Sequence, residues 1–312
     1  MILKSQVSLL TEKAALPRAK QTAAMAARLL RVTRLRGLGN APTVDYGAAL
    51  RLQEALRTQR LGGADGGAAG AGAGAGDSLL LLQHSPVYTL GRRTAAESQR
   101  LANAPDGPQQ HEHLLFDDAF LAESGATVFD TKRGGQVTFH GKGQLVGYPV
   151  LHLRQLARHD RTLTPRGYIP ALEGVLADTL KTFGVEAVGR SDEGSDLAGV
   201  WIGGSKVAAI GVHVSRGVTT HGFALNVTDE PLPFFERIVP CGLSQPVTCV
   251  AHHMPQDSCH GGEELIANVE AEFVRQFVRR FGYGDGDGQV HDAGRVPVDE
   301  LLDGLVVDDG SY

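Results

Sequence analysis

The sequence predicts an α+β protein built on a mixed, largely antiparallel sheet with its helices segregated from the strands. Two observations carry this expectation. Short runs of β-branched and aromatic residues, bounded by glycines, come in two series (78–90 with 126–153, then 198–227), and helical periodicity is confined to stretches outside them. The regular strand-helix alternation that builds a doubly wound parallel sheet does not occur.

Residues 1–40 carry eight Lys or Arg against the single acid Glu12, leaving 22 basic and 34 acidic residues in the remainder. Rich in Ala and Leu, with Arg28, Arg31, Arg34 and Arg36 spaced along it, this arm has the composition of an organellar transit peptide, and a mitochondrial address is expected. An ordinary basic surface helix is the plainer alternative. The acidic remainder lacks the basic stripe of a nucleic-acid binder, so no nucleic-acid partner is expected. No run approaches the roughly 20 apolar residues of a membrane helix, so no membrane span is expected either. Three cysteines, Cys241, Cys249 and Cys259, are too few for a disulfide framework and suit a reducing compartment.

A catalytic domain is expected over 41–283. It opens with a helix from Val44 to Arg60, on which Tyr46, Leu50, Leu52 and Leu56 recur at helical spacing. The stretch GGADGGAAGAGAGAG (62–76) has no side chains to pack and reads as a flexible insertion, which closure entropy makes inexpensive. Strands follow in SLLLLQH, PVYTLG, ATVFDTKRGG and QVTFHGKGQLVGYPVLHL. An amphipathic helix spans Arg166 to Phe183, with Ile169, Leu172, Val175, Leu176 and Leu180 on one face and Gly184 as its stop. AGVWIGG, KVAAIGVHV and GVTTHGFALNV then suggest consecutive antiparallel strands, and helix returns at Glu263 to Phe281. Beyond Gly284 eight acids stand against Arg295, so residues 284–312 are expected to form a loosely attached acidic tail.

Three clusters offer chemistry. In RGGQVTFHGKGQ (133–144) glycines remove side chains where the backbone bends or a ligand approaches, and His140 adds a polar group. It is not a phosphate loop: Gly135 and Gly141 enclose five residues rather than four, and Gly143 stands where Ser or Thr would bind magnesium. A glycine-rich ligand wall and a pair of tight hairpin turns both fit. Lys206 heads an apolar strand in GGSKVAAIG, where a lysine also commonly snorkels to solvent. In VPCGL, Cys241 sits between Pro240 and Gly242, which fix and expose a backbone, although a buried inert thiol is the default for an unplaced cysteine. Pairing of Cys241 with His140 or His221 stays open. Cys249, His252, His253, Cys259 and His260 match no paired-ligand spacing, so no metal site is expected.

Taken in order, LLLLQHSPVYTLGRR, RGGQVTFHGKGQLVGYPV, GVW, KVAAIG, HGFALNV and VPCGL resemble the motif series of lipoyl(octanoyl) transferases over about residues 44–250. Two positions depart from it: Gln83 stands where the family usually has an acid before the histidine, and Lys142 where it has proline. The resemblance implies a biotin/lipoate protein ligase-like fold and an acyl transfer that needs no cofactor, neither ATP nor metal. The octanoyl donor would be acyl carrier protein. The acceptors would be lysines of lipoyl domains in 2-oxoacid dehydrogenase complexes and of the glycine cleavage H protein. It further implies that Cys241 is the nucleophile and that Lys206 lowers its pKa. Arg133, Gly134, Gly135, Gln136, Val137, Thr138, Phe139 and His140 would then form one acyl-binding wall. Ala209, Ile210 and Gly211, with Gly222, Phe223 and Ala224, would form the others, and backbone amides near Gly242 would serve an oxyanion. An ATP-dependent lipoate or biotin ligase would share the fold but would need no cysteine in VPCGL. A non-catalytic lipoyl-domain binder would need neither Cys241 nor Lys206.

Overall fold

The computed structural model describes residues 28–62, 76–94, 117–238, 246–255, 261–284 and 288–305. Among them an eight-stranded mixed sheet forms the body of the molecule. Its strands are β1 (Arg28–Arg36), β2 (Asp77–Leu82), β6 (Gln144–Val150), β7 (Val188–Gly189), β8 (Gly199–Ile202), β9 (Ser205–Ser215), β10 (Val218–Asn226) and β11 (Gly288–Pro297). They lie in the order β11-β1-β2-β6-β10-β9-β8-β7, parallel where β1 meets β11 and β2 and antiparallel across the rest. A smaller sheet, β4-β3-β5, joins β3 (Val87–Leu90), β4 (Thr127–Asp130) and β5 (Thr138–His140).

Helices cover the main sheet on both faces. On one lie α4 (Pro165–Lys181) and α6 (Gly262–Arg280), whose Leu172, Leu176, Val269, Phe273 and Phe277 share a core with Leu79, Leu81, Leu145, Phe223 and Leu225. On the other, α1 (Tyr46–Gly62) sets Ala49 and Leu52 against Leu80, Leu82, Val146 and Ala224. Alternate residues of β2 thus enter opposite cores, which is why SLLLL is a continuous apolar run. The start of α4 is capped by the Thr164 hydroxyl, which accepts from Gly167 N, with Pro165 in the first turn. It stops at Gly184, whose φ of 74° lets Val185 N reach back to Leu180 O at 3.1 Å. The charges at the ends of α6 suit its dipole, Glu263 and Glu264 at the start and Arg279 and Arg280 at the end. Three short helices complete the described chain up to residue 238: α2 (Asp118–Ser124), α3 (Leu153–Leu156) and α5 (Leu232–Phe235).

Asp77 ties these layers together. Buried at the head of β2, its carboxylate accepts from Arg60 Nε of α1 at 2.8 Å, His152 N before α3 at 2.9 Å and the Tyr283 hydroxyl beyond α6 at 2.6 Å. The Arg60 guanidinium also donates to Gln155. Burial, and then the Asp77 charge, push the Tyr283 phenol well above its ordinary pKa, so the hydroxyl stays a donor.

The structure corrects the two expected ends of the domain. Arg28–Arg36 is a sheet strand with Leu30 and Val32 fully buried, so the folded domain begins before residue 40, and residues 1–27 lie outside the described residues. Gly288–Pro297 is likewise no loose tail. It pairs in parallel with β1, Leu30 opposite Val290, with a shift of register between Val32 and Arg34, and leads into α7 (Val298–Asp303), which buries Val298 beside Leu35 and Leu52. Alternation along β1 was hidden in the sequence by Arg28, Arg31, Arg34 and Arg36. Arg34 is satisfied by ion pairs to Glu270 and Asp292. Most of the Gly/Ala insertion, 63–75, also lies outside the described residues. None of the described helices is long and apolar enough to cross a membrane.

A chain lacking residues 1–27 should keep a cooperative thermal unfolding transition, and one lacking 1–40 should lose it. Burying Leu30, Val32 and Leu35 contributes about 1.5–3 kcal/mol per side chain, a large share of the ~5–15 kcal/mol that holds a domain together. Circular dichroism melts of the two chains decide the matter; a cooperative melt of the shorter one would make β1 dispensable.

Candidate active site

The strands place a cavity of about 330 Å³ between the smaller sheet, β9 and β10, within the range of small-ligand pockets. Its floor follows the β9–β10 register, in which Ala209 faces Ala224, Ile210 faces Phe223 and Gly211 faces Gly222. Its roof is the loop of Arg133 to Val137, with Thr138 and His140 of β5 beyond. The three acyl-wall segments expected from the motif series therefore converge on one space. Phe139 is the exception: strand alternation turns it to the opposite side of β5, where it stacks on Phe234 at 4.2 Å and packs on Tyr88.

Backbone meets backbone at this wall. Gly91 N donates to Gln136 O at 3.2 Å and Gly134 N to Val212 O at 3.1 Å, fastening the roof to β3 and β9. A Cβ at Gly91 would overlap Gly135 O, and one at Gly222 would overlap Gly147 O, so both positions require glycine for close approach. Arg133 is buried and locked by Thr89, whose carbonyl accepts from Nη2 at 2.6 Å and whose hydroxyl accepts from Nε at 3.2 Å.

Burial and the Arg133 charge keep the histidines at the cavity neutral. Desolvation, then the neighbouring His84 and Arg133, hold His140 well below its usual pKa, and desolvation with Arg133 brings His221 down to about 3. His84, sunk to about 4 by burial, donates from Nδ1 to Val44 O at 2.9 Å, which leaves Nε2 to accept from Tyr148 OH at 2.7 Å. Tyr46 is pushed up to about 12, burial outweighing Arg133. At neutral pH the tyrosines and histidines lining the cavity are thus uncharged, while Arg133 and Lys206 bring positive charge to it.

Lys206 stands at the start of β9. Its Nζ lies 4.7 Å from the centre of the Trp201 ring and 3.5 Å from Ala198 O. Its backbone clamps the segment that follows VPCGL: Lys206 N donates to Pro246 O at 2.9 Å, and Thr248 N donates to Lys206 O at 3.0 Å. Asn226, whose Oδ1 accepts from Gln144 Nε2 at 2.9 Å, also donates to Thr248 O at 3.0 Å. Cys241 and Gly242, with Cys259 and His260, lie outside the described residues. Cys249 is fully buried, and burial raises its thiol pKa, the opposite of what a nucleophile needs.

Both departures from the family pattern have local partners. The side-chain oxygen of Gln83 accepts from Gly143 N at 2.8 Å, a role open to an amide as much as to an acid. Lys142, exposed on the same turn, pairs with Glu230 at 3.0 Å. Cavity-lining residues that the sequence reading passed over include Tyr46, Tyr148, Ile169, Asn226 and the rim pair Arg93 and Asp196. Arg93, Tyr148 and Asn226 fall within the motif blocks, but nothing in a single sequence says that they face the same space as Lys206.

Comparison with known proteins agrees with this architecture. Residues 45–274 match the model of the lipoyl protein ligase A/B catalytic domain. Over 249 residues the chain is 43% identical to an octanoyltransferase of Solibacter usitatus, covering 80% of this chain and 93% of that one. It is 34% identical over 245 residues to the mitochondrial octanoyltransferase LIP2 of Arabidopsis thaliana, covering 78% and 87%. A putative lipoate protein ligase from T. acidophilum, solved with bound lipoic acid, shares the fold with a TM-score of 0.56 at 15% identity, covering 88% of this chain and 92% of that one. Lipoate-protein ligase A, solved with ATP, gives 0.53 at 14% identity, covering 88% and 92%. The family model spans most of the sequence and the chain covers 93% and 87% of the two octanoyltransferases, so it belongs to the lipoyl protein ligase A/B catalytic-domain family.

Proposed function

We propose that this protein is an octanoyltransferase of lipoate biosynthesis, which takes an octanoyl group from acyl carrier protein onto Cys241 and passes it to a lysine of an apo lipoyl domain. The acceptors are those of the 2-oxoacid dehydrogenase complexes and the glycine cleavage H protein. The observation that carries the reading is the position of Lys206: it lines the glycine-walled cavity and holds, through its own backbone, Pro246, five residues after Cys241. The octanoyltransferase names of relatives up to 43% identical support it.

The chemistry follows from these groups. A free thiol with a pKa of about 8.5 is only a few per cent thiolate at neutral pH, and a nearby ammonium favours the anion. The thiolate attacks the donor thioester carbonyl, the new thioester forms, and the carrier's sulfur leaves as a thiol with a proton from the Lys206 ammonium, which is left neutral. The acceptor amine then attacks the acyl-enzyme, the amide forms, the Cys241 sulfur departs, and Lys206 in its neutral form takes the amine's proton. The apolar floor of Ala209, Ile210, Phe223 and Ala224 suits the chain, whose burial contributes about 0.8 kcal/mol per methylene. We further assign residues 1–27 as a mitochondrial targeting segment, from Lys4, Lys13, Arg18 and Lys20 against Glu12 and from the mitochondrial relative.

Mixing the protein with octanoylated carrier protein, without ATP, should give one octanoyl adduct by intact mass, labile to hydroxylamine. It should vanish in Cys241→Ala and persist in Cys249→Ala. An adduct that survives Cys241→Ala, or none unless ATP is added, refutes the mechanism and favours a ligase. Alkylation of Cys241 should rise with pH as the thiol ionises, and Lys206→Ala should move that rise upward, toward about 8.5. Lys206→Arg keeps the charge but not the base, and should acylate while transferring poorly to the acceptor. Identical alkylation profiles in wild type and Lys206→Ala would remove the activating role. A reporter carrying residues 1–27 should enter mitochondria; its retention in the cytosol would withdraw the targeting assignment.

A further inference from the structure

Glu173 lies in the middle of α4, 3% exposed, among the apolar residues that pack on the sheet. A carboxylate in such a place is costly unless its oxygens are fully used. It accepts from Ser191 N at 3.0 Å, from the Ser191 hydroxyl and from Gly199 N at 2.8 Å. The backbone is shaped around it. A Cβ at Gly189 would overlap the Glu173 side chain, and one at Gly199, whose φ is 137°, would overlap Ala208 O. Glu173 therefore gathers the loop from Ser191 to Gly199, which carries Asp196 and Ala198 to the cavity.

One of these bonds reaches further than the loop. Gly199 N–H and Ala198 C=O belong to the same trans peptide, whose two dipole ends point in opposite directions. Fixing the N–H on Glu173 aims the carbonyl the other way, where it accepts from Lys206 Nζ at 3.5 Å. Charge on one end of such a chain strengthens the bond at the other.

We propose that Glu173 is a positioning residue that acts through the Ala198–Gly199 peptide to hold and polarise the Lys206 ammonium against the face of Trp201. The inference rests on the reading that Lys206 takes part in the reaction. Among the described residues, the charged groups that share the cavity or the Trp201 ring with Lys206 include Arg92, Arg133, the Arg93 and Asp196 pair at the rim, and the Arg190 and Glu193 pair, whose arginine stands 5.0 Å from the ring.

The test is the pH profile of Lys206 acylation by an amine reagent, read by peptide mass spectrometry, which does not involve Cys241. With Glu173→Gln the charged form of Lys206 loses support, so half-labelling should fall to lower pH by about half a unit or more. Ser191→Ala removes a donor from the same carboxylate without touching the Ala198–Gly199 peptide and should leave the Lys206 profile in place. Equal midpoints in wild type and a folded Glu173→Gln, or equal shifts in both variants, overturn the proposal. If Glu173→Gln does not fold, the Lys206→Ala protein supplies the answer by amide NMR. Loss of the ammonium should move the Gly199 resonance and leave that of Ser191, and an unmoved Gly199 overturns it. Lys206 profiles that respond while no Cys241 adduct forms would keep the relay and discard the transferase reading, and the reverse pattern would discard the relay alone.

Discussion

The buried ion pair of Asp77 and Arg60 fixes where everything else sits. Its partners come from α1, from the turn into α3 and from beyond α6, so elements from both sides of the sheet are referred to one carboxylate at the head of β2. Removing one member of such a pair strands the other charge in the core, which is why the pair constrains more than its net stabilisation implies. It also lies across the Gly/Ala insertion: Arg60 and Asp77 stand on either side of it, and the low-complexity segment is bridged by a bond that does not depend on its length.

From that scaffold the cavity inherits its electrostatics. Glycines at 91, 135, 211 and 222 bring peptide groups close to one another, and Arg133 is held by Thr89 rather than by flexible contacts. The surrounding histidines are buried and uncharged. Positive charge beside neutral histidines favours an anionic sulfur or oxyanion over a proton relay carried by histidine. His221 adds a sign of constraint: its φ of 56° is unusual for a strand residue, and its N–H is taken by Gln53 of α1 at 2.7 Å.

Much of this was legible in the residues. Helices at α1, α4 and α6 followed from apolar spacing and from Gly184, and the antiparallel run of β8, β9 and β10 from alternation between short turns. The convergence of 133–140, 209–211 and 222–224 was legible through motif order, with Phe139 misplaced because a block was assigned whole although a strand sends neighbours to opposite sides. β1 and β11 were missed because charge is a poor guide where arginines flank buried Leu30 and Val32. Glu173 and Asp77 were invisible for a different reason. A single acid in an apolar pattern reads as a surface position, and only the fold shows which donors surround it.

The pairing of β1 with β11 also bears on how the chain reaches its native state. Leu30 must find Val290, roughly 260 residues later, and a parallel pairing of such separation is slow to form. Until the last strand is made, β1 can lean on β2 alone and presents an unpaired edge, the kind of surface on which other chains assemble. Alternation sets Arg28, Arg34 and Arg36 on one face of that strand, like charges that disfavour its pairing with its own copies, and Glu270 and Asp292 pair with Arg34 once α6 and β11 are in place.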